Sequence, residues 1–255
     1  MAKKTPNLSR SAQERIKGYE AKTLAAADRK AIRRKDNLNA ILVSVVAVVI
    51  ALGAQGAYFG FGPGKSSMPT TSSAPVQTNS AKVPDAKLAE NRTWTGSMNL
   101  NGKALNFTLD GKKAPQAVAN FVTLVRKGFY NNTSCHRLTV QGIYVLQCGD
   151  PTGTGTGTPG YQFGPIENAP VDDIYPAATL AMARGSGNGY SNGSQFFIVY
   201  NNSSIPHDTA GGYTVFGKVT KGMENVLQVA KLGVTGGGSD GKPVSPAVLS
   251  KLTVK

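Results

Sequence analysis

The chain is poor in the residues that build metal centres and disulfide frameworks: among 255 residues there are two cysteines and two histidines. Cys135, His136, Cys148 and His207 match no common zinc-ligand spacing, so neither a metal nor any other cofactor is expected. No cysteine follows the apolar run at 41–54, which argues against a lipoprotein anchor. The glycine- and threonine-rich stretch GDPTGTGTGTPGY, Gly149 to Tyr161, lacks the lysine of a P-loop and opens no clear helix, so it is not read as a nucleotide cradle. Charge is missing altogether between Asn37 and Gly64.

What is present is unevenly placed. The net charge is +14, yet residues 1–40 alone hold 11 Lys or Arg against 4 Asp or Glu. A basic excess concentrated in the tail weakens a nucleic-acid reading of the whole chain, and no nucleic-acid partner is expected. The uncharged stretch beside it supplies a local cause. Its centre, ILVSVVAVVIALGA, is almost wholly apolar and ends in Tyr58, Phe59 and Phe61. About 20 such residues cross a bilayer as a helix, and aromatic rings suit its interface. We read 38–61 as a transmembrane helix and 1–37 as a basic cytoplasmic tail. Arg29, Lys30, Arg33, Arg34 and Lys35 then place the N-terminus inside and the remainder outside the membrane. A cleaved signal peptide is the weaker reading, because the charged region is long and Ala54 to Ala57 makes a poor cleavage site. Residues 62–90, rich in Ser, Thr, Pro and Ala with no aromatic ring, read as a flexible linker.

Residues 91–255 read as the folded domain, mainly β. Strand patterns lie at Trp94–Leu100, Lys103–Leu109, Cys135–Val140, Ile143–Cys148, Ala178–Ala183, Gln195–Tyr200, Thr214–Val219 and Ala247–Val254. Helices are expected at Pro115–Lys127, with Val118, Phe121, Val122 and Val125 inward, and at Met223–Leu232, with Val226, Leu227 and Ala230 inward. This order predicts a closed, antiparallel eight-stranded barrel capped by two helices. The hairpin CHRLTVQGIYVLQCGD, Cys135 to Asp150, is drawn with a tight turn at Gln141 and Gly142. Arg137 and Gln147 are costly in a sheet unless they line a cleft, so a polar pair on an apolar floor marks a candidate site. In NGSQFFI, alternation lets Phe196 and Ile198 enter the core while Phe197 faces outward.

CHRL, YVLQCGD, the GTGTG loop, LAMAR, NGSQFFI and VFGKV follow one another in the order seen in cyclophilin-type peptidyl-prolyl isomerases. The resemblance covers the domain and none of the first 90 residues, and the tail, span and linker together resemble membrane-anchored actinobacterial members. It implies an isomerase for X-Pro bonds in proline-containing polypeptides, with Arg137 and Gln147 as catalytic residues. It also implies an apolar slot from Tyr144, Val145, Phe197, Ile205, Pro206 and Tyr213, and a groove for the residues before proline along Ala183, Arg184, Gly185 and Gln195. Ile205 stands where the family has a tryptophan that contributes to cyclosporin binding, so inhibitors of that type should bind weakly. Arg184 replaces an asparagine, which would add charge beside the groove and favour acidic substrates. The expected role is folding of exported proteins at the outer face of the cytoplasmic membrane; the alternative is a cyclophilin-shaped module that binds proline segments without catalytic purpose. The two cysteines lie on facing strands and could form a disulfide outside the membrane, if the strand register lets the sulfurs meet.

Overall fold

The computed structural model describes residues 44–45, 47–54 and 77–255, and the chain divides into two compact units, Met1–Pro75 and Val76–Lys255. In the first unit, 47–54 form helix α1, on which Val48, Val49, Ile50 and Leu52 are exposed. Among the described residues no helix is long and apolar enough to cross a membrane. The basic tail, the rest of the expected span and residues 62–76 lie outside the described residues.

The second unit begins earlier than the composition suggests. Residues 77–90, expected as linker, are laid onto the domain: a short 3-10 turn at Ala86–Ala89 buries Ala89 completely. The Trp94 indole N–H donates to the Ala89 carbonyl at 2.9 Å, and Gln116 Nε2 donates to the Pro84 carbonyl at 2.8 Å. Further back, the Asn79 amide donates to the Gly164 carbonyl at 2.7 Å and accepts from its N–H at 2.9 Å. Side-chain-to-backbone bonds of this kind leave no hydrophobic signature.

Strands β1 (Thr93–Leu100) and β2 (Lys103–Asp110) form a hairpin across Asn101 and Gly102, both at positive φ, the requirement of a type I′ turn. Helix α2 (Pro115–Arg126) carries Pro115 in its first turn and buries Val118, Phe121, Val122 and Val125. Its cap comes from far away: both carboxylate oxygens of Glu167 accept from the free N–H groups of Gln116 and Ala117, at 2.9 and 3.0 Å. Then come β3 (Arg137–Thr139), β4 (Val145–Cys148), β5 (Ile174–Tyr175), β6 (Thr179–Met182), β7 (Phe196–Val199), β8 (Ser203–Ser204) and β9 (Val215–Lys221). Helix α3 (Met223–Lys231), β10 (Asp240–Gly241) and β11 (Leu249–Val254) complete the chain. On α3 the buried residues are Val226 and Val229, whereas Leu227 is exposed; a spacing of three keeps Val229 on the face of Val226 and turns Leu227 away.

The sheet departs from the expected barrel. It has nine strands in the order β10-β3-β4-β7-β6-β9-β2-β1-β11 and curls into a half-barrel, with β5 and β8 forming a separate pair. The extra strand β10 pairs with β3 at Leu138 and Thr139. The chain just ahead of β3 meets the start of β11 through a bridge between Ser134 and Val248 and through backbone bonds from the Cys135 N–H to the Ala247 carbonyl at 2.7 Å and from the Leu249 N–H to the Thr133 carbonyl at 2.9 Å. Inside the curl, Phe121 stacks edge-on against Phe196 with centroids 5.4 Å apart and lies 5.2 Å from Phe216. A second, smaller cluster lies on the opposite face: Val145, Tyr175, Ala181, Phe197, Val199 and Ile205. Along β7, Phe196 and Ile198 belong to the first cluster and Phe197 and Val199 to the second, as period-two alternation requires.

Candidate active site

Strand register assembles the site. Arg137 on β3 stands directly opposite Gln147 on β4, and Gln147 stands opposite Phe197 on β7. Residues at one register position across neighbouring strands share a face, so a cation, an amide and an aromatic ring line up in one row. The face opens as a cleft of about 520 Å³, within the range of ligand pockets.

The polar side of the cleft is one connected chain of hydrogen bonds. Arg137 donates from Nε to Asp240 Oδ1 at 2.8 Å, from Nη2 to Asp240 Oδ2 at 2.7 Å, and from Nη1 to Gln147 Oε1 at 3.1 Å. Gln147 Nε2 donates to Gln195 Oε1 at 2.9 Å, and Gln195 Nε2 donates to the carbonyls of Gly155 and Gly157 at 2.9 and 3.0 Å. Each amide is thereby oriented: Gln147 turns its oxygen to Arg137 because its nitrogen is held by Gln195. The hydrogen bond to Asp240 raises the Arg137 guanidinium above its ordinary value despite partial burial, and the same bond lowers Asp240. Burial pushes His136 down, with Arg137 adding to the effect and Asp150 opposing it.

Asp150 organises the glycine- and threonine-rich loop. Its buried carboxylate accepts from the N–H and hydroxyl of Thr152, at 2.7 and 2.8 Å, and from the N–H of Gly155. Burial pushes this carboxyl up, but the bonds from Thr152, Gly157 and Gly155 outweigh it and hold it at about 2. A Cβ on Gly157 would collide with the carboxylate, so the loop can close this tightly only with glycine there.

The apolar side is a notch. Phe197 lies edge-on to Tyr213 with centroids 5.6 Å apart, and Val145 and Ile205 complete the lining. The Tyr213 backbone N–H donates to the Tyr175 hydroxyl at 2.8 Å, which fixes the wall from behind. Ala183 and Arg184 line both this cleft and an adjoining hollow of about 260 Å³ that also contains Gly185 and Gln195.

Three expected features are placed differently. Tyr144 packs edge-on against Tyr200 at 5.8 Å, and Ile143 takes its place in the cleft, because residues 140–144 form a loop rather than the two-residue turn that would keep strand phase. Pro206 is exposed and lines neither hollow. Arg184 adds no free charge: its side chain is wholly buried and its guanidinium is paired with Asp208 at 2.9 Å. Cys135 and Cys148 are joined as a disulfide, next to Arg137 and Gln147. Asp240, Gly241 and Lys242 also line the cleft. Their only sequence trace is a charged pair in a glycine-rich loop, 103 residues from Arg137 for Asp240.

Comparison with known proteins agrees with this architecture. Residues 96–254 match the family model described as cyclophilin type peptidyl-prolyl cis-trans isomerase/CLD. The chain is 42% identical over 170 residues to a probable peptidyl-prolyl cis-trans isomerase B of Mycobacterium tuberculosis (strain ATCC 25618 / H37Rv), covering 61% of this chain and 53% of that protein. It therefore spans about half the length of that mycobacterial relative. To a peptidyl-prolyl cis-trans isomerase of Helicobacter pylori (strain ATCC 700392 / 26695) it is 39% identical over 146 residues, 57% of this chain and 82% of that one. A crystal structure of a Cryptosporidium parvum cyclophilin type peptidyl-prolyl cis-trans isomerase superposes with a TM-score of 0.54 at 30% identity, covering 64% of this chain and 98% of that one. A second crystal structure of that protein, in the presence of the dipeptide Ala-Pro, gives 0.53 at the same identity, with 63% and 98% covered. With the motif order, the half-barrel and the Arg137–Gln147–Phe197 row in agreement with a match across most of the domain, the chain belongs to the family of cyclophilin-type peptidyl-prolyl cis-trans isomerases.

Proposed function

We propose that this protein catalyses cis–trans isomerisation of X-Pro bonds in polypeptides, with Arg137 and Gln147 as the catalytic pair. Rotation about an X-Pro bond is slow because amide resonance sets a barrier of roughly 18–20 kcal/mol. Halfway round, the prolyl nitrogen loses conjugation and becomes a better acceptor, so a fixed donor stabilises the twisted imide more than either planar form. The observation that carries this reading is the fixed fork of Arg137 beside the Phe197–Tyr213 notch. A proline ring in the notch is held while the preceding carbonyl turns past the guanidinium. Residues before the proline run along Ala183, Gly185 and Gln195.

The same reading places the domain on the outer face of the cytoplasmic membrane, assisting exported proteins to fold. It is supported by the uncharged stretch Asn37–Gly64, the basic cluster before it and the exposed apolar side chains of α1. Ile205 offers no side-chain donor in the cleft, which supports weak binding of cyclosporin-type inhibitors. The test is a protease-coupled or NMR exchange assay on a short X-Pro peptide, comparing the protein with Arg137→Ala. Catalysis that falls by about two orders of magnitude in the variant, as loss of a preorganised donor does, supports the reading; equal rates overturn it. Protease accessibility of the domain in intact cells tests the membrane placement.

A further inference from the structure

Arg137 has five N–H groups, and the structure accounts for three of them: two on Asp240 and one on Gln147. One N–H on each terminal nitrogen is left for the cleft. The pair with Asp240 is half exposed, with side-chain exposures of 39% and 49%, and exposed ion pairs contribute little to folding. Its geometry is nevertheless the bidentate fork, which fixes the guanidinium plane as well as its charge. Asp240 is itself placed by backbone pairing. β10 lies against β3 with Gly241 opposite Leu138, and the Val140 N–H donates to the Ser239 carbonyl at 2.8 Å. A Cβ on Gly241 would stand 2.9 Å from Val234, so glycine lets this short strand sit close.

We propose that Asp240 is a positioning residue for the isomerase reaction: it clamps Nε and Nη2 of Arg137 so that the two remaining N–H groups meet the twisting imide. The clamp works with Gln147, which holds the third nitrogen, so the plane is fixed from two sides. Without Asp240 the guanidinium keeps its charge but can swing about its last bonds, and a donor that must be re-ordered at each passage of the barrier stabilises it less. Removing the clamp therefore slows turnover more than it weakens peptide binding.

This inference rests on the isomerase reading, and the experiment separates the two. Asp240→Ala and Asp240→Asn are assayed beside the unaltered protein by NMR exchange on an X-Pro peptide, with kcat and KM resolved and thermal unfolding followed in parallel. The expected result is a roughly tenfold lower kcat for Asp240→Ala, KM within about twofold, partial recovery in Asp240→Asn and little change in melting temperature. In an Arg137→Lys background, which has no fork to clamp, Asp240→Ala should cost little more, and the Nε–H resonance of Arg137, sharp in the unaltered protein, should broaden in Asp240→Ala. An unaltered protein that is active together with an Asp240→Ala variant of equal kcat overturns this inference alone. An inactive unaltered protein overturns the isomerase reading and this inference with it.

Discussion

Both carboxylate oxygens of Asp208 stand 2.9 Å from the guanidinium of Arg184, whose side chain is wholly buried. The same guanidinium donates to the carbonyls of Gly185 and Gly212, at 3.0 and 3.1 Å, and to that of Gly211, and lies over the Tyr213 ring at 4.9 Å. A cation whose field is cancelled this closely cannot select acidic peptides, contrary to what its position beside the groove suggests. Peptides with Glu or Lys immediately before the X-Pro bond should turn over within about twofold of each other, because the residual field beyond a close ion pair is small. The pair instead holds the 208–213 loop, and with it the Tyr213 wall of the notch. Asp208→Ala is expected to raise KM for any X-Pro peptide severalfold and to lower the melting temperature, because Arg184 is then buried without its counter-charge. Steady-state parameters for a matched peptide pair, together with calorimetry, check both statements.

The disulfide Cys135–Cys148 closes a loop with a sequence separation of 13 and so ties the base of the hairpin that carries Arg137 and Gln147. Closing a loop of this size restricts the unfolded chain by about 3 kcal/mol in the chain-entropy account. Reduction, or the double substitution Cys135→Ser and Cys148→Ser, should lower the melting temperature clearly. Activity should fall less, because the ladder between Arg137 and Gln147 keeps its backbone pairing. Thiol titration of the denatured protein should find no free thiol before reduction and two per chain after it.

Asp150 gives the domain an acid limit. Its folded-state value of about 2 lies below the ordinary carboxylate value of 3.8, so its contribution is complete above that value and is lost as pH falls toward about 2. Thermal stability should therefore fall steeply between about pH 4.5 and pH 2. Asp150→Asn should flatten that dependence while lowering stability near neutrality by about 1–3 kcal/mol, since the loop N–H groups lose a charged acceptor. A melting-temperature profile of both proteins against pH shows whether the slope belongs to this residue.

The parts of the site that were legible in the sequence are those governed by short-range periodicity. Strand alternation separates Phe196 from Phe197, and the spacing within one hairpin brings Arg137 to Gln147. The parts that were not legible depend on pairings made across the fold. Asp240 reaches Arg137 across 103 residues and Glu167 caps α2 across 51 and 50, and neither leaves a local pattern. Tyr144 and Ile143 exchange roles because a five-residue loop at 140–144 breaks the phase that a two-residue turn would have kept. β10 was not legible either, being two residues in a glycine-rich loop whose pairing with β3 is invisible to strand propensity.

The domain boundary gives a last prediction. Composition draws it at residue 91, yet the preceding segment buries Ala89, accepts the Trp94 indole N–H and ties Asn79 to Gly164 and to Gln116, the latter at 3.0 Å. Trp94 itself is fully buried, with the guanidinium of Arg92 3.7 Å above its ring. Removing 77–90 would strip the cover from α2 and leave the indole N–H without its acceptor, a loss of about 1–3 kcal/mol for that group alone. A protein beginning at residue 77 should therefore melt at the temperature of the intact domain, and one beginning at residue 91 well below it. Asn79→Ala should fall between them, because it deletes the reciprocal bonds to Gly164 and leaves the 3-10 turn in place. Equal melting temperatures for the chains starting at 77 and 91 would show that the segment rests on the domain without holding it.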